Sequence, residues 1–220
     1  MADLLVVIRT GPTDYDLQGR IRGNLDIPLA PAGLAAARDT CRDLAAAPPV
    51  ALYTSPTICA VETADLIGAS LGLVPRRVPL LVGLDLGLWQ GMLVSEIRRR
   101  QPRLARQWEE DPWRVVPPDG EPLAAARDRI NQAIGKIVAR HPGERVAVVV
   151  PQPLDRIILT LMTGEPAGDL WEVSASGAAA VELPVAPPPA RPSLTAAGVG
   201  LLAGASALAT LRGRLGLAQS

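Results

Sequence analysis

Few side chains in this sequence are suited to covalent or proton-transfer chemistry, and their scarcity is informative. The chain holds one histidine, His141. It lies in Ala139-Arg140-His141-Pro142-Gly143, at the expected end of a helix and the turn after it, where the plain reading is a C-terminal cap residue. Zinc sites need more ligands than this sequence gathers, and no cofactor motif is present. The two cysteines, Cys41 and Cys59, are too few for a disulfide framework and fit a reducing compartment. Arg9-Thr10-Gly11-Pro12 closes a short apolar run and brings a cation next to a hydroxyl. Thr10 would act as a nucleophile only with a neighbouring base, and no histidine serves. Arg9 has two readings: it braces the loop ends through hydrogen bonds, or it holds a weakly bound anionic ligand.

The elements that must position these residues follow from the apolar pattern. The chain has 220 residues, 48% hydrophobic and 20% charged, enough for one well-cored domain with length left over. Lys plus Arg and Asp plus Glu are 22 each, so charge gives no case for nucleic acid or an anionic membrane surface. Leu4–Ile8, Val50–Tyr53 and Arg145–Val150 read as buried strands, Arg77–Leu81 as a further strand and Ala178–Leu183 as an edge strand. Pro31–Leu44, Thr57–Leu71, Ser95–Gln101, Arg103–Glu110, Pro122–Arg140 and Leu154–Met162 read as helices, with Ser55 and Pro56 as cap and first-turn residues of the second. Strands alternating with helices predict a three-layer α/β/α sandwich around a mainly parallel sheet. Ligands of such sheets sit beyond the C-terminal strand ends, here the segments after Ile8, Tyr53 and Val150. The domain is expected to span 1–184, followed by a Pro-rich linker at 185–193 and an apolar segment at 194–220. Three readings stay open for Ala196–Leu211: a tail or helix packed on its own domain, a helix that docks on a protein partner, or a membrane anchor. Leu194, Leu201, Leu208 and Leu215 make a seven-residue seam, and Gly200 and Gly204 allow close approach. The run from 196 to 211 falls short of the ~20 residues a spanning helix needs. The start of the chain lacks the basic residues of a signal peptide, so a cytoplasmic location is expected.

Six groups of residues, in order, resemble the signatures of the histidine-phosphatase (phosphoglycerate-mutase-like) superfamily. They are Arg9-Thr10-Gly11 with Gly19-Arg20, Gly23, Asp26, Pro28 and Leu29; Ser55-Pro56 with Ala60, Thr63 and Ala64; Asp85, Gly87, Trp89 and Gly91; Gly120-Glu121; Val146–Val150; and Gly164, Pro166 and Trp171. The resemblance covers residues 3 to about 184 and implies a phosphoglycerate-mutase-like fold. It also implies a chemistry: one histidine attacks phosphorus, two arginines and a second histidine hold the phosphoryl oxygens, and a carboxylate protonates the leaving group.

This chain departs from that pattern at almost every functional position. Thr10 stands where the nucleophile belongs, Cys59 where the second arginine belongs, and Gly83 at the carboxylate position. Pro151-Gln152-Pro153 replaces the segment around the second histidine, Asp16 replaces an asparagine, and Pro12 a glutamate. A unit charge pair at 4 Å is worth roughly 4 kcal/mol at an effective dielectric of 20, so losing a guanidinium and one or two imidazolium groups should weaken phosphoryl binding severely. Asp16 is expected to add repulsion if it lines the pocket. Cysteine-based phosphatases use Cys-x5-Arg, but the residue six after Cys59 is Asp65, so Cys59 reads as a small, partly buried helix-start residue. The expectation is a catalytically inactive pseudoenzyme, a binding or scaffold module whose vestigial phosphate pocket comprises Arg9, Thr10, Gly11, Asp16, Cys59, Gly83 and Gln152. The alternative is a phosphoester hydrolase of altered mechanism using the same cleft. Trp89, Trp108, Trp113 and Trp171 read as core or lid-packing residues.

Overall fold

A computed structural model describes residues 3–166, 168–171 and 180–185. Val185, expected to open the Pro-rich linker, is instead the last residue of an edge strand, Ala180–Val185, where it pairs with the sheet. The rest of the linker and the apolar segment 194–220 lie outside the described residues. Five strands form one sheet: β1 (Asp3–Arg9), β2 (Ala51–Thr54), β3 (Arg76–Arg77), β4 (Arg145–Val150) and β5 (Ala180–Val185). Their order is β3-β2-β4-β1-β5, parallel throughout except that β5 pairs antiparallel with β1 at the edge. The mainly parallel sheet and the edge strand are as the apolar pattern predicts.

β1 and β4 are continuous apolar runs because both of their faces are covered. Successive side chains point to opposite sides, so Leu5 and Val7 join one core cluster while Val6 and Ile8 join the other. The first cluster also takes Val146, Val148 and Val150 from β4. It is covered by helices α6 (Leu123–Val138) and α7 (Leu154–Thr163) and by α4 (Val94–Arg100) and α5 (Pro102–Glu110). The second takes Ala147 and Val149 and is covered by α2 (Pro31–Ala45) and α3 (Ile58–Leu71). These are the three layers expected. Trp89, Trp108 and Trp171 are buried in the first cluster, with ring centroids 5.2–5.7 Å apart. Edge-to-face and stacked pairs of this kind add to what area burial alone supplies.

Three local predictions are corrected. The strand read at Arg77–Leu81 is only the pair Arg76–Arg77, followed by a 3₁₀ turn at Pro79–Leu81. Pro79 has no N–H for a ladder, and it suits the first position of a turn instead. The cap of α3 is Thr57 rather than Ser55, and its side chain makes no cap hydrogen bond. Ser55 Oγ lies 3.1 Å from Thr57 Oγ1 and accepts from the Thr57 N–H, so it fixes the turn before the helix. A short helix α1 (Asp14–Leu17) has no counterpart in the apolar pattern. Thr13 caps it, and Asp16 reaches back to the Thr13 N–H, a reciprocal pair of bonds. Among the described residues no helix is long and apolar enough to cross a membrane.

Candidate functional site

The exits of β1 and β4 lie side by side: Arg9 is in register with Val150, and the Thr10 N–H donates to the Val150 carbonyl at 3.1 Å. The loop after β1 is held tightly against the start of α2. A side chain on Gly11 would meet the Gly33 carbonyl at 2.3 Å, and the Ala30 N–H donates to the Pro12 carbonyl at 3.0 Å. Only glycine fits at position 11 without moving the helix. The loop presents Arg9 and Thr10 at the strand ends, and Thr10 is buried, 4% exposed.

Three arginines reach this region. Arg9 and Arg22 already hold a carboxylate. Arg20, which lines the adjoining cavity, donates from Nε to Gln18 Oε1 at 2.9 Å and from Nη1 to the Gly91 carbonyl at 2.7 Å. Arg9 Nε donates to Asp155 Oδ2 at 2.7 Å, joining β1 to the first turn of α7, with the side chains 17% and 4% exposed. Arg22 Nη1 donates to Asp16 Oδ2 at 3.0 Å, and its Nη2 donates to the Gln152 carbonyl at 3.3 Å. The same Asp16 oxygen accepts from the Thr13 N–H and from Thr13 Oγ1, each at 2.7 Å. Asp16 does line the cleft, but the repulsion expected of it is cancelled locally, because its charge sits on Arg22. Arg9 braces α7, which is the first of its two sequence readings, though the partner is a carboxylate rather than loop ends. Among the described residues, Arg9 Nη1, Arg22 Nε and Asp155 Oδ1 are buried without a protein partner.

The cavity beside these groups has a volume of about 40 Å³ and is lined by Asp16, Arg22, Gln152, Pro153 and Trp171, among others. Pockets for small molecules usually run to roughly 300–1,000 Å³. Of the seven residues singled out from sequence, Asp16 and Gln152 line this cavity, and Arg9, Thr10 and Gly11 form the adjoining strand exit. Cys59 and Gly83 are not among its lining residues. Cys59 is 1% exposed at the start of α3, with Sγ 3.7 Å from Thr57 Oγ1. Gly83 packs on the Gly23–Asn24 turn, where a side-chain carbon would stand 2.4 Å from the Gly23 carbonyl. His141 is on the entry side of β4, away from the strand exits. Its Nε2 is 3.0 Å from the Tyr53 hydroxyl and its Nδ1 2.7 Å from Glu144. The turn after α6 is thereby tied to β2, a more specific structural role than a cap.

Sequence reasoning missed Arg22 and Asp155. Asp155 has an ordinary local role, an acidic residue in the first turn of a helix, and that hides its burial. The available signal was its spacing. It stands three residues before Ile158, on the buried face of α7.

A family model for the histidine phosphatase superfamily, branch 1, matches residues 5–187. The chain belongs to the histidine phosphatase superfamily. Phosphoserine phosphatase 1 of Hydrogenobacter thermophilus is 26% identical over 174 residues, covering 79% of this chain and 82% of that protein. Glucosyl-3-phosphoglycerate phosphatase of Mycobacterium tuberculosis is 32% identical over 139 residues, covering 63% of this chain and 61% of that protein, less than two thirds of its length. Among solved structures, the native mycobacterial glucosyl-3-phosphoglycerate phosphatase superposes with a TM-score of 0.72 at 26% identity, over 83% of this chain and 90% of the other. A mycobacterial hydrolase gives 0.75 at 25% identity, over 86% and 92%. These histidine phosphatase relatives confirm the fold read from the six residue groups; by their names they are phosphatases and, in one case, a hydrolase.

The burial of both thiols makes a direct prediction. Cys41 is 8% exposed, its Sγ donates to the Ala37 carbonyl, and burial pushes its thiol above the usual thiol range. The attacking species in alkylation is the thiolate. Iodoacetamide at pH 8 should therefore leave Cys41 and Cys59 unmodified in the native protein over a time in which the urea-unfolded chain reacts fully. Rapid stoichiometric labelling of native Cys59, read by mass spectrometry, would reopen a thiol-based mechanism.

Proposed function

We propose that this histidine-phosphatase-fold domain is a pseudoenzyme, a binding or scaffold module without phosphoester turnover. The observation that carries the reading is the state of the cleft. Its guanidinium groups on Arg9 and Arg22 are already paired with Asp155 and Asp16, and Arg20 is engaged by Gln18 and the Gly91 carbonyl. The chain's single imidazole is committed to Tyr53 and Glu144 at the entry end of β4, away from the strand exits. Phosphoryl transfer depends on positioned cations and, in this superfamily as the resemblance implies it, on an imidazole nucleophile. Thr10 has no base beside it among the described residues that matches that role. The phosphatase activities named for the relatives supply the alternative, a hydrolase of altered mechanism, and the buried state of Cys59 weighs against its thiol version. The attachment point proposed for a partner is the apolar segment 194–220, on the strength of its leucine seam in sequence.

The test is a phosphatase and mutase assay of the purified full chain on a broad phosphoester panel that includes phosphoserine, glucosyl-3-phosphoglycerate and p-nitrophenyl phosphate. The expected result is no turnover above the buffer rate. Clear turnover that disappears in Arg9→Ala or Thr10→Ala would refute the pseudoenzyme reading.

A further inference from the structure

We propose that the cleft is self-liganded: Asp155 occupies on Arg9 the place of an external oxyanion, and it determines that phosphate-like anions are refused. The inference rests on the pseudoenzyme reading and extends it to what the site can bind. Asp155 is a buried carboxylate brought to Arg9 from 146 residues away, and the contact is made at 2.7 Å where β1 exits toward the cleft. A carboxylate and a phosphoryl group offer a guanidinium the same kind of acceptor. The two therefore compete for one cation, and the intramolecular one is present at a far higher effective concentration. Asp16 does the same to Arg22, so neither Arg9 nor Arg22 offers an uncommitted charge. Arg20, the third arginine at the cavity, is held by Gln18 and the Gly91 carbonyl rather than by a carboxylate.

The fit is incomplete in a telling way. Asp155 satisfies Arg9 at Nε only, while Arg9 Nη1 and the second Asp155 oxygen are buried without a protein partner. An unsatisfied buried donor or acceptor is costly. A tetrahedral oxyanion has more acceptor oxygens than a carboxylate and could serve both Nε and Nη1. Arg9 thus retains the chemistry of an anion site, and withdrawal of the Asp155 charge should expose it. Asparagine at 155 keeps the shape and removes the charge, leaving Arg9 mostly buried and uncompensated.

The probe is inorganic phosphate, compared with sodium chloride at equal ionic strength, with thermal unfolding as readout. Wild type, Asp155→Asn and Arg9→Met/Asp155→Asn are the three proteins. Phosphate should leave the wild type unmoved. It should raise the melting temperature of D155N by roughly 3–6 °C at about ten times its Kd. The double variant should lose that response, which places the anion on Arg9. If D155N is unfolded in chloride, phosphate should restore the folded state, since a ligand of the native form stabilises it by mass action. The proposal is overturned if D155N neither gains stability nor refolds in phosphate, or if wild type responds to phosphate as strongly as D155N. Phosphoester turnover by the wild type is a separate outcome: it defeats the pseudoenzyme reading, whereas the phosphate comparison of wild type with D155N tests the masking alone.

Discussion

Asp155→Leu alone should destabilise the domain by about 3 kcal/mol, the lower end of the range for breaking a buried ion pair. The Arg9→Met/Asp155→Leu double variant should be as stable as the parent or more so. The asymmetry follows from where the pair lies. Asp155 is almost wholly buried and Arg9 keeps 17% of its side-chain surface, so removing the carboxylate strands a guanidinium that water reaches only in part. That residual hydration is why the lower figure applies. Removing both charges eliminates two desolvation costs together with one attraction. The attraction here is a single Nε–Oδ2 contact with two further polar atoms unpartnered, a weak return for burying two ions. Urea unfolding of wild type, the two single variants and the double variant gives the cycle directly. A single-variant loss within about 0.5 kcal/mol, the size typical of surface substitutions, would mean the pair is solvated and contributes little. Losses that simply add in the double variant would mean that Arg9 and Asp155 are not energetically coupled, and Asp155 would then not be the group that masks Arg9.

The pair also shows where sequence reasoning stops. β1 and β4 were legible because a continuous apolar run of strand length, closed by turn residues, fits little besides a strand buried on both faces. The helices were legible because their apolar spacing is long and regular. The fold as a whole was legible because six residue groups stood in order. Elements set by a few hydrogen bonds were not. α1 is four residues long and rests on the reciprocal bonds of Thr13 and Asp16. β3 shrinks to two residues because Pro79 follows it closely. In the cleft the departures that the resemblance implies at Thr10, Cys59, Gly83 and Gln152 were legible as expectations. The compensation was not. Arg9 meets Asp155 across 146 residues, and Arg22 bridges Asp16 to the Gln152 carbonyl. No local pattern encodes those meetings. They depend on β1 and β4 being neighbours in the sheet, which places the first turn of α7 beside the exit of β1. Treating the seven positions one at a time pointed to weakened phosphoryl binding but by a different route from the one the geometry offers. Asp16 acts by neutralising Arg22 rather than by repelling an anion.

Placing at position 83 the carboxylate that the resemblance implies should fail on steric grounds before it fails on chemical ones. Gly83→Glu is expected to cost about 3 kcal/mol or more, at or beyond the upper end of ordinary overpacking. Its first side-chain carbon would stand 2.4 Å from the Gly23 carbonyl and 3.1 Å from the Asn24 Cα, both backbone atoms. One of the two loops must therefore move. The loop carrying Gly83 is poorly placed to do so. Arg129 donates to the carbonyls of Leu80, Val82 and Gly83 at 2.8, 2.7 and 3.0 Å. That guanidinium is fixed in turn by Glu121, at 2.7 Å from Nη2 and 3.3 Å from Nε. Shifting the loop breaks charge-assisted bonds worth about 1.5–3 kcal/mol each. The opposing turn is no freer, because the Asn24 N–H donates to Gln90 Oε1 at 2.8 Å. A carboxylate at 83 therefore displaces a glycine that the packing requires. Thr10→His with Gly83→Glu should give a less stable protein that still does not hydrolyse p-nitrophenyl phosphate, because Arg9 remains paired with Asp155 and Gln152 supplies no imidazole. Urea midpoints and a discontinuous phosphate-release assay check both halves. A Gly83→Glu protein within about 1 kcal/mol of wild type, at the bottom of the usual overpacking range, would show that the loop yields. Turnover by the double variant would show that the site needs far less rebuilding than its geometry implies.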